Sequence, residues 1–448
     1  MRSLLISTYE MGRQPFGLAS AAAWLRSAGS LVTAVDVAAT RLDEDSVRSA
    51  DLIAFHLPMH TATRLAGPII AQARRVNPRA RVCAFGLYAP LNEAWLRSLG
   101  VDAVFGGEFE EEMTRWAFAG SSFDRLRTSE GSRTIPRIHF LVPDRNGLPP
   151  LSKYASLQLP DGSRKLVGYT EASRGCRHLC RHCPIVPIYN GQFRIVSTDV
   201  VLADVDAQVR AGAEHVTFGD PDFFNGPTHA MRVVDAVHNA HPSLTYDVTI
   251  KVEHLLKHRV LVPRLAATGC AFVTSAVESV DDRVLALLDK GHTRADFEEA
   301  VRVTRAAGLA LAPTFVAFHP WLTLDGYCDL LDTIAALDLV DHVGPIQLAI
   351  RLLVPEGSRL LALDEMRRHI DAFDPATLTY RWNHPDPRVD ALQREITAIV
   401  GMRPGADRAA VFEEIDALAR ERAGRGPASP RPVRDRATVP YLNEPWYC

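Results

Sequence analysis

Residues 166–194 read LVGYTEASRGCRHLCRHCPIVPIYNGQFR and hold three of the chain's seven cysteines. The spacing is Cys176-x3-Cys180-x2-Cys183. Three thiolates on one short loop can grip three corners of a cubic iron–sulfur cluster and leave the fourth iron open to another ligand. An open coordination position is what separates a catalytic metal from a closed structural one. The stretch LVGYTEA (166–172) has strand character, so the cysteines follow a strand end, where barrel enzymes place their chemistry. A structural zinc site with His178 or His182 as fourth ligand is the competing reading. Zinc ligands of this type come as two separated pairs, and no second Cys/His pair stands at such a spacing.

Strands alternate with helices on both sides of this loop. Downstream, strands are expected at 215–220, 245–250, 271–279, 309–318 and 345–350, with helical segments between them. Six βα units fall short of a closed eightfold barrel, so the spacing predicts a partial (β/α)6 TIM-type barrel over 165–360. Upstream, five strands at 2–7, 31–37, 51–57, 81–87 and 102–107 alternate with helices. That pattern implies a doubly wound, flavodoxin- or Rossmann-like domain over 1–120, whose ligands sit outside the carboxyl ends of the strands. Residues 121–164 carry Ser, Pro and Gly without periodicity and read as a linker. The pattern turns helical over 361–425, and 426–448 reads as a flexible Pro/Arg-rich tail ending in Cys448. The fold class is α/β with a C-terminal helical extension.

The cysteine spacing after the first barrel strand resembles the signature of the radical S-adenosylmethionine superfamily. The resemblance implies that Cys176, Cys180 and Cys183 ligate a [4Fe–4S] cluster whose open iron chelates S-adenosylmethionine. It further implies reductive cleavage to a 5′-deoxyadenosyl radical, which abstracts hydrogen from a substrate. The residue before the third cysteine is aromatic in the family pattern, and here it is His182, whose imidazole can pack against the adenine. Gly219-Asp220 stands where relatives carry a Gly-Gly-Glu motif that contacts the S-adenosylmethionine amino group, with Asp in place of Glu. Glu278-Ser279, followed by Lys290-Gly291, resembles the pattern in which the Glu contacts the ribose. Lys251, just after the third strand, is placed to pair with a carboxylate. Arg351, at the end of the expected sixth strand, is a further candidate.

The upstream domain resembles the cobalamin-binding domains that precede such barrels. Its stretches MGRQPFGLASAAAWLRSAG, ADLIAFHLPMHTATRLA and GGEFEEEM carry the likeness. No His has an Asp two residues before it, so a bound corrinoid would lack the Asp-x-His-x-x-Gly lower ligand. Two readings stay open: a corrinoid site serving methyl transfer, or a cofactor-free domain that only shapes the substrate entrance. The terminal EPWYC resembles tails of a group ending in Cys-Cys-Ala-Glu-Pro or Cys-selenocysteine-Ala-Glu-Pro. On that reading Cys448 joins sulfur or selenium chemistry, and the chain ends at a selenocysteine codon.

Composition narrows the class. Hydrophobic residues make up 47% and charged residues 23% of the 448 positions, which excludes a disordered, collagenous or coiled-coil chain. No apolar run is long enough to span a bilayer, and an odd cysteine count argues against a disulfide framework. A cytoplasmic enzyme is therefore expected. The net charge of −3 gives no basic field for nucleic acid, so the expected partners are a small-molecule or peptide substrate and an electron donor such as flavodoxin or ferredoxin. A zinc-stabilised binding protein without turnover is the alternative from another class.

Overall fold

Two parallel sheets dominate the computed structural model, which describes residues 1–119, 135–402, 407–427 and 439–443. The first sheet has the order Leu31–Asp36, Arg2–Ser7, Leu52–His56, Arg81–Phe85, Ala103–Phe105, with every neighbouring pair parallel. Its second strand in this order, Arg2–Ser7, is buried on both faces beyond Arg2, which is why RSLLIS reads as an apolar run rather than an alternation. Leu4 and Ile6 join Ile53, Phe55, Ala66 and Ile70 on one side. Leu5 joins Leu18, Ala22, Leu25, Met113 and Trp116 on the other. The period of two thus sends successive residues of one strand into two separate cores. In this order the strand sequence reverses between Arg2–Ser7 and Leu52–His56, and the crevice beyond their carboxyl ends is the ligand position of such folds.

The second sheet is a curled half-barrel. Arg164–Thr170, His215–Phe218, Thr245–Thr249, Cys270–Glu278 and Ala310–Phe315 lie side by side and parallel. Helices Thr198–Arg210, Pro227–Ala240, Val262–Ala267 and Arg294–Ala306 contribute to one large apolar core with these strands.

Four expectations are corrected here. The sixth barrel strand, expected at 345–350, is a 3-10 turn over Pro345–Leu348, and only a single parallel bridge, Phe318 to Arg351, continues the sheet. Pro345 brings no N–H to a ladder, and the Gln347 side chain accepts from the Phe315 N–H at 3.2 Å where a strand carbonyl would have done so. The region 361–425 is not helical throughout: the helix expected over 364–373 ends at Arg367, and Ile370–Asp374 pairs antiparallel with Thr379–Trp382. Pro375 biases Asp374 away from the helical region, and Ile, Phe, Tyr and Trp favour the strand. The segment read as linker contains a strand, Ser156–Gln158, which adds antiparallel to Arg164–Thr170. The tail in turn supplies Tyr441–Asn443, antiparallel to Ser156–Gln158. Cys448 lies outside the described residues.

Candidate functional site

The cysteine loop is braced at both ends. Ser173–Gly175 pairs antiparallel with Phe193–Ile195, so the chain enters and leaves the loop through one short ribbon. Gly175 has φ +77°, and a Cβ there would fall 2.4 Å from Tyr189 Cδ1 and 2.5 Å from the Gln192 carbonyl. Only glycine fits that turn without strain. Asn225, from the segment after the second barrel strand, holds the loop inside: its Oδ1 accepts from Arg177 N at 3.1 Å, and its Nδ2 donates to Gly175 O at 3.4 Å. Cys176 and Cys180 are buried and Cys183 is half-buried. Lys251 Nζ stands 3.8 Å from Cys180 Sγ. Burial pushes the Cys183 thiol up to about 12 and raises Cys176 as well. Thiolates in this loop therefore need positive charge beside them, which iron supplies.

The donor set fits a cluster better than a single ion. Among the described residues, the grouping whose ligand atoms all approach within 4.8 Å is His178, Asp222 and His254, not the three cysteines. His182 is engaged elsewhere, its Nε2 3.1 Å from Glu278 Oε1. With His182 turned to Glu278, the loop's own set is three thiolates, the number a cubic cluster with one open iron takes.

The structure brings Glu278, His182 and Lys290 together beside this loop. Glu278 ends the fourth barrel strand at φ +70°, and its Oε1 accepts from Lys290 Nζ at 3.3 Å. Burial pushes the Glu278 carboxyl up, but Lys290 and His182 outweigh it and hold the group down at about 2. Lys251 is buried and lies 3.5 Å from Glu253 Oε2. Ser279 is also buried, and its Oγ accepts from the Asp281 N–H at 3.1 Å.

Two other candidates serve local geometry. Gly219 packs under Tyr169, whose Oη would lie 1.8 Å from a Cβ at that position. Asp220 is buried and accepts from Ala172 N at 2.9 Å and Ser173 Oγ at 2.5 Å, so both its oxygens already tie down the approach to the cysteine loop. Burial raises its carboxyl to about 7. Arg351 is not brought to the site. It donates to Asp390 Oδ1 at 2.7 Å and to the Trp382 carbonyl at 2.6 Å, stacked 3.4 Å over the Trp382 ring.

Arg174, two residues before Cys176, is a member of this site that the sequence reading passed over. Its guanidinium is buried and reaches Glu110 Oε1 at 2.6 Å, Glu171 Oε2 at 2.7 Å and Glu108 Oε2 at 3.3 Å. Glu108 and Glu110 belong to the first domain, so Arg174 locks the cysteine loop to it. Burial raises Glu108 to about 7 despite the arginine. The available signal was the GGEFEEEM run, whose first two glutamates needed a buried cation to be tolerated. Between the two domains lies a cavity of about 330 Å³, lined by Glu10, His56 and Gly86 from one side and Arg174, Gly219 and Asp220 from the other. The sheet-edge loops of both domains thus open onto one space.

Residues 170–333 match the Radical SAM superfamily profile. With the half-barrel and the cysteine loop, that match makes the protein an enzyme of the radical SAM class, whose members use a [4Fe–4S] cluster and S-adenosylmethionine. Its fold is similar over 94% of the chain to the cobalamin-dependent S-adenosylmethionine radical enzyme OxsB, at TM-score 0.70 and 13% identity, covering 71% of that chain. It is similar over 95% to the radical S-adenosylmethionine methyltransferase TsrM from Kitasatospora setae, at TM-score 0.66 and 16% identity, covering 96% of that chain. In sequence it is 23% identical over 67% of its length to a putative methylthiotransferase of Methanocaldococcus jannaschii, covering 68% of that protein. It is 26% identical over 39% of its length to the ribosomal protein uS12 methylthiotransferase RimO of Desulfotalea psychrophila, covering 41% of it. No helix among the described residues is long and apolar enough to cross a membrane.

Proposed function

We propose that the protein is a cobalamin-dependent radical SAM enzyme that transfers a methyl group to a small-molecule or peptide substrate held between its two domains. The observation that carries this reading is the shared cavity, where the first sheet's switch-point crevice meets the barrel mouth. The fold likeness to OxsB and TsrM, which extends through both domains, supports it. When bound, the cluster supplies an electron that cleaves S-adenosylmethionine to a hydrogen-abstracting 5′-deoxyadenosyl radical, and the corrinoid supplies a methyl group.

The chain's own residues position and neutralise. Cys176, Cys180 and Cys183 hold the cluster, and Lys251 beside Cys180 offsets the negative charge of the thiolates. Glu278, kept ionised by Lys290 and His182, offers a fixed acceptor for the vicinal hydroxyls of the ribose. Gly219 exposes bare backbone toward the cavity, with Asp220 bracing the loop behind it. Gly86, at φ +109°, lines the cavity, and a Cβ there would fall 2.9 Å from the Leu57 carbonyl, so glycine lets these two strand ends close against each other. Arg174 and its carboxylates close the seam between the domains and keep water from it.

The test is anaerobic incubation of cluster-loaded protein with S-adenosylmethionine and a strong reductant, assayed for 5′-deoxyadenosine and S-adenosylhomocysteine. The expected result is 5′-deoxyadenosine from the wild-type chain and none from Cys180→Ala. Absence of both products from protein with full iron content contradicts the proposal.

A further inference from the structure

A second constellation of ligand atoms lies beside the cysteine triad. His178 comes from the cysteine loop, Asp222 from the segment after the second barrel strand, and His254 from helix Val252–Lys257. Their ligand atoms all lie within 4.8 Å of one another. Asp222 is fully buried, and the side chains of His254 and His178 are 8% and 17% exposed.

His178 Nε2 stands 3.3 Å from His254 Nε2 and 3.6 Å from Asp222 Oδ2. The outer nitrogen of His178 has a carboxylate behind it, Glu253 Oε2 at 3.5 Å. A carboxylate in that position fixes the tautomer that leaves Nε2 free to ligate.

Asp222 supplies the independent observation. Its Oδ1 accepts from Phe224 N at 3.2 Å and lies 3.5 Å from Lys251 N. Its Oδ2 is buried and lies 2.6 Å from His254 Nδ1. A fully buried carboxylate oxygen that faces two imidazole nitrogens, 2.6 Å from His254 Nδ1 and 3.6 Å from His178 Nε2, is an arrangement that a cation can bridge.

We infer that His178, Asp222 and His254 form a second metal site, separate from the cysteine triad, which takes a divalent ion of the zinc type. Two imidazoles and one carboxylate are a borderline nitrogen–oxygen set that suits zinc, and the fourth position is left to water. Because His178 sits between Cys176 and Cys180, the ion ties the cysteine loop to the ends of the second and third barrel strands. It is a structural clip that sets the loop independently of the cluster. The site stands whether or not the protein transfers methyl groups.

The test uses the full chain with its cluster reconstituted anaerobically, so that the cysteines are occupied by iron. The protein is equilibrated with zinc, desalted, and its zinc and iron are counted by mass spectrometry. The expected result is about one zinc per wild-type chain beside the cluster iron, falling more than tenfold in His254→Ala while iron is retained. Asp222→Asn, which keeps the side-chain volume, is expected to lower zinc in the same way if His254→Ala does not fold. Cobalt(II) titrated into the cluster-loaded wild-type chain is expected to give weak visible bands of a nitrogen–oxygen site and no thiolate-to-cobalt charge-transfer band. Wild-type protein free of zinc, zinc unchanged in the folded variants, or a thiolate band with cobalt each overturns the inference.

Discussion

At the residue scale, Arg174 faces two buried carboxylates, Glu108 and Glu110, and the half-buried Glu171 with one guanidinium. Replacing it with Met leaves those carboxylates without their cation, and breaking a buried pair in this way costs about 3–5 kcal/mol. Urea unfolding of Arg174→Met is expected to show a loss of that size, and a change under about 1 kcal/mol contradicts the role given to it. Arg174→Lys is expected to recover only part, because an ammonium cannot reach three acceptors as a planar fork does. Gly175 makes a different kind of demand. Gly175→Ala forces φ +77° on an L residue and drives Cβ into the Gln192 carbonyl, at a cost of about 1–3 kcal/mol or more. The expected outcome is a lower unfolding midpoint together with fewer irons per chain after reconstitution; unchanged iron content contradicts the placing of this turn.

At the element scale, the tail strand Tyr441–Asn443 covers the outer edge of Ser156–Gln158, and Leu442 packs against the small cluster of Leu157, Val167 and Phe272. A chain ending at Pro427 uncovers that edge, and an open edge templates pairing with other chains. Light scattering of the shortened protein is expected to show association that the full chain lacks; monodisperse behaviour contradicts it. This strand also marks where sequence reading stops. Four of the first sheet's strands were legible as buried apolar runs that recur with helices between, and the part-exposed edge strand Leu31–Asp36 by its place in that alternation. The pairing of residues 156–158 with 441–443 was not, because three-residue edge strands carry no period and these two lie far apart in the sequence. The sixth barrel strand misled for the opposite reason: PIQLAI is apolar enough for a strand, and only Pro345 signalled that its backbone would not join the ladder. The cysteine triad was legible from spacing alone. Arg174 and the group at His178 were not, because their partners come from distant segments that meet only in the folded chain.

At the scale of the whole molecule, burial sets the acid limit of stability. His56 is held down at about 3 by burial and by Arg174, and His319 to about 3 by burial and His384. Both bind a proton more readily when unfolded, near pH 6.5, so folding stability rises with pH across this window. Stability is therefore fully present above about pH 6.5 and is lost as pH falls toward 3. His56→Asn is expected to lower the slope of unfolding free energy against pH by about 1.4 kcal/mol per unit in that window, measured by urea unfolding at several pH values. An unchanged slope contradicts the buried neutral imidazole. The two domains meet at the cavity that His56, Glu10 and Gly86 share with Arg174, Gly219 and Asp220, the seam proposed to take a corrinoid. The most direct measurement is gel filtration of anaerobically reconstituted protein after incubation with hydroxocobalamin, with absorbance, iron and sulfide read on the protein peak. About four irons and one corrinoid per chain are expected. Four irons with no corrinoid on the peak would contradict the proposal and leave the first domain as a wall of the substrate entrance.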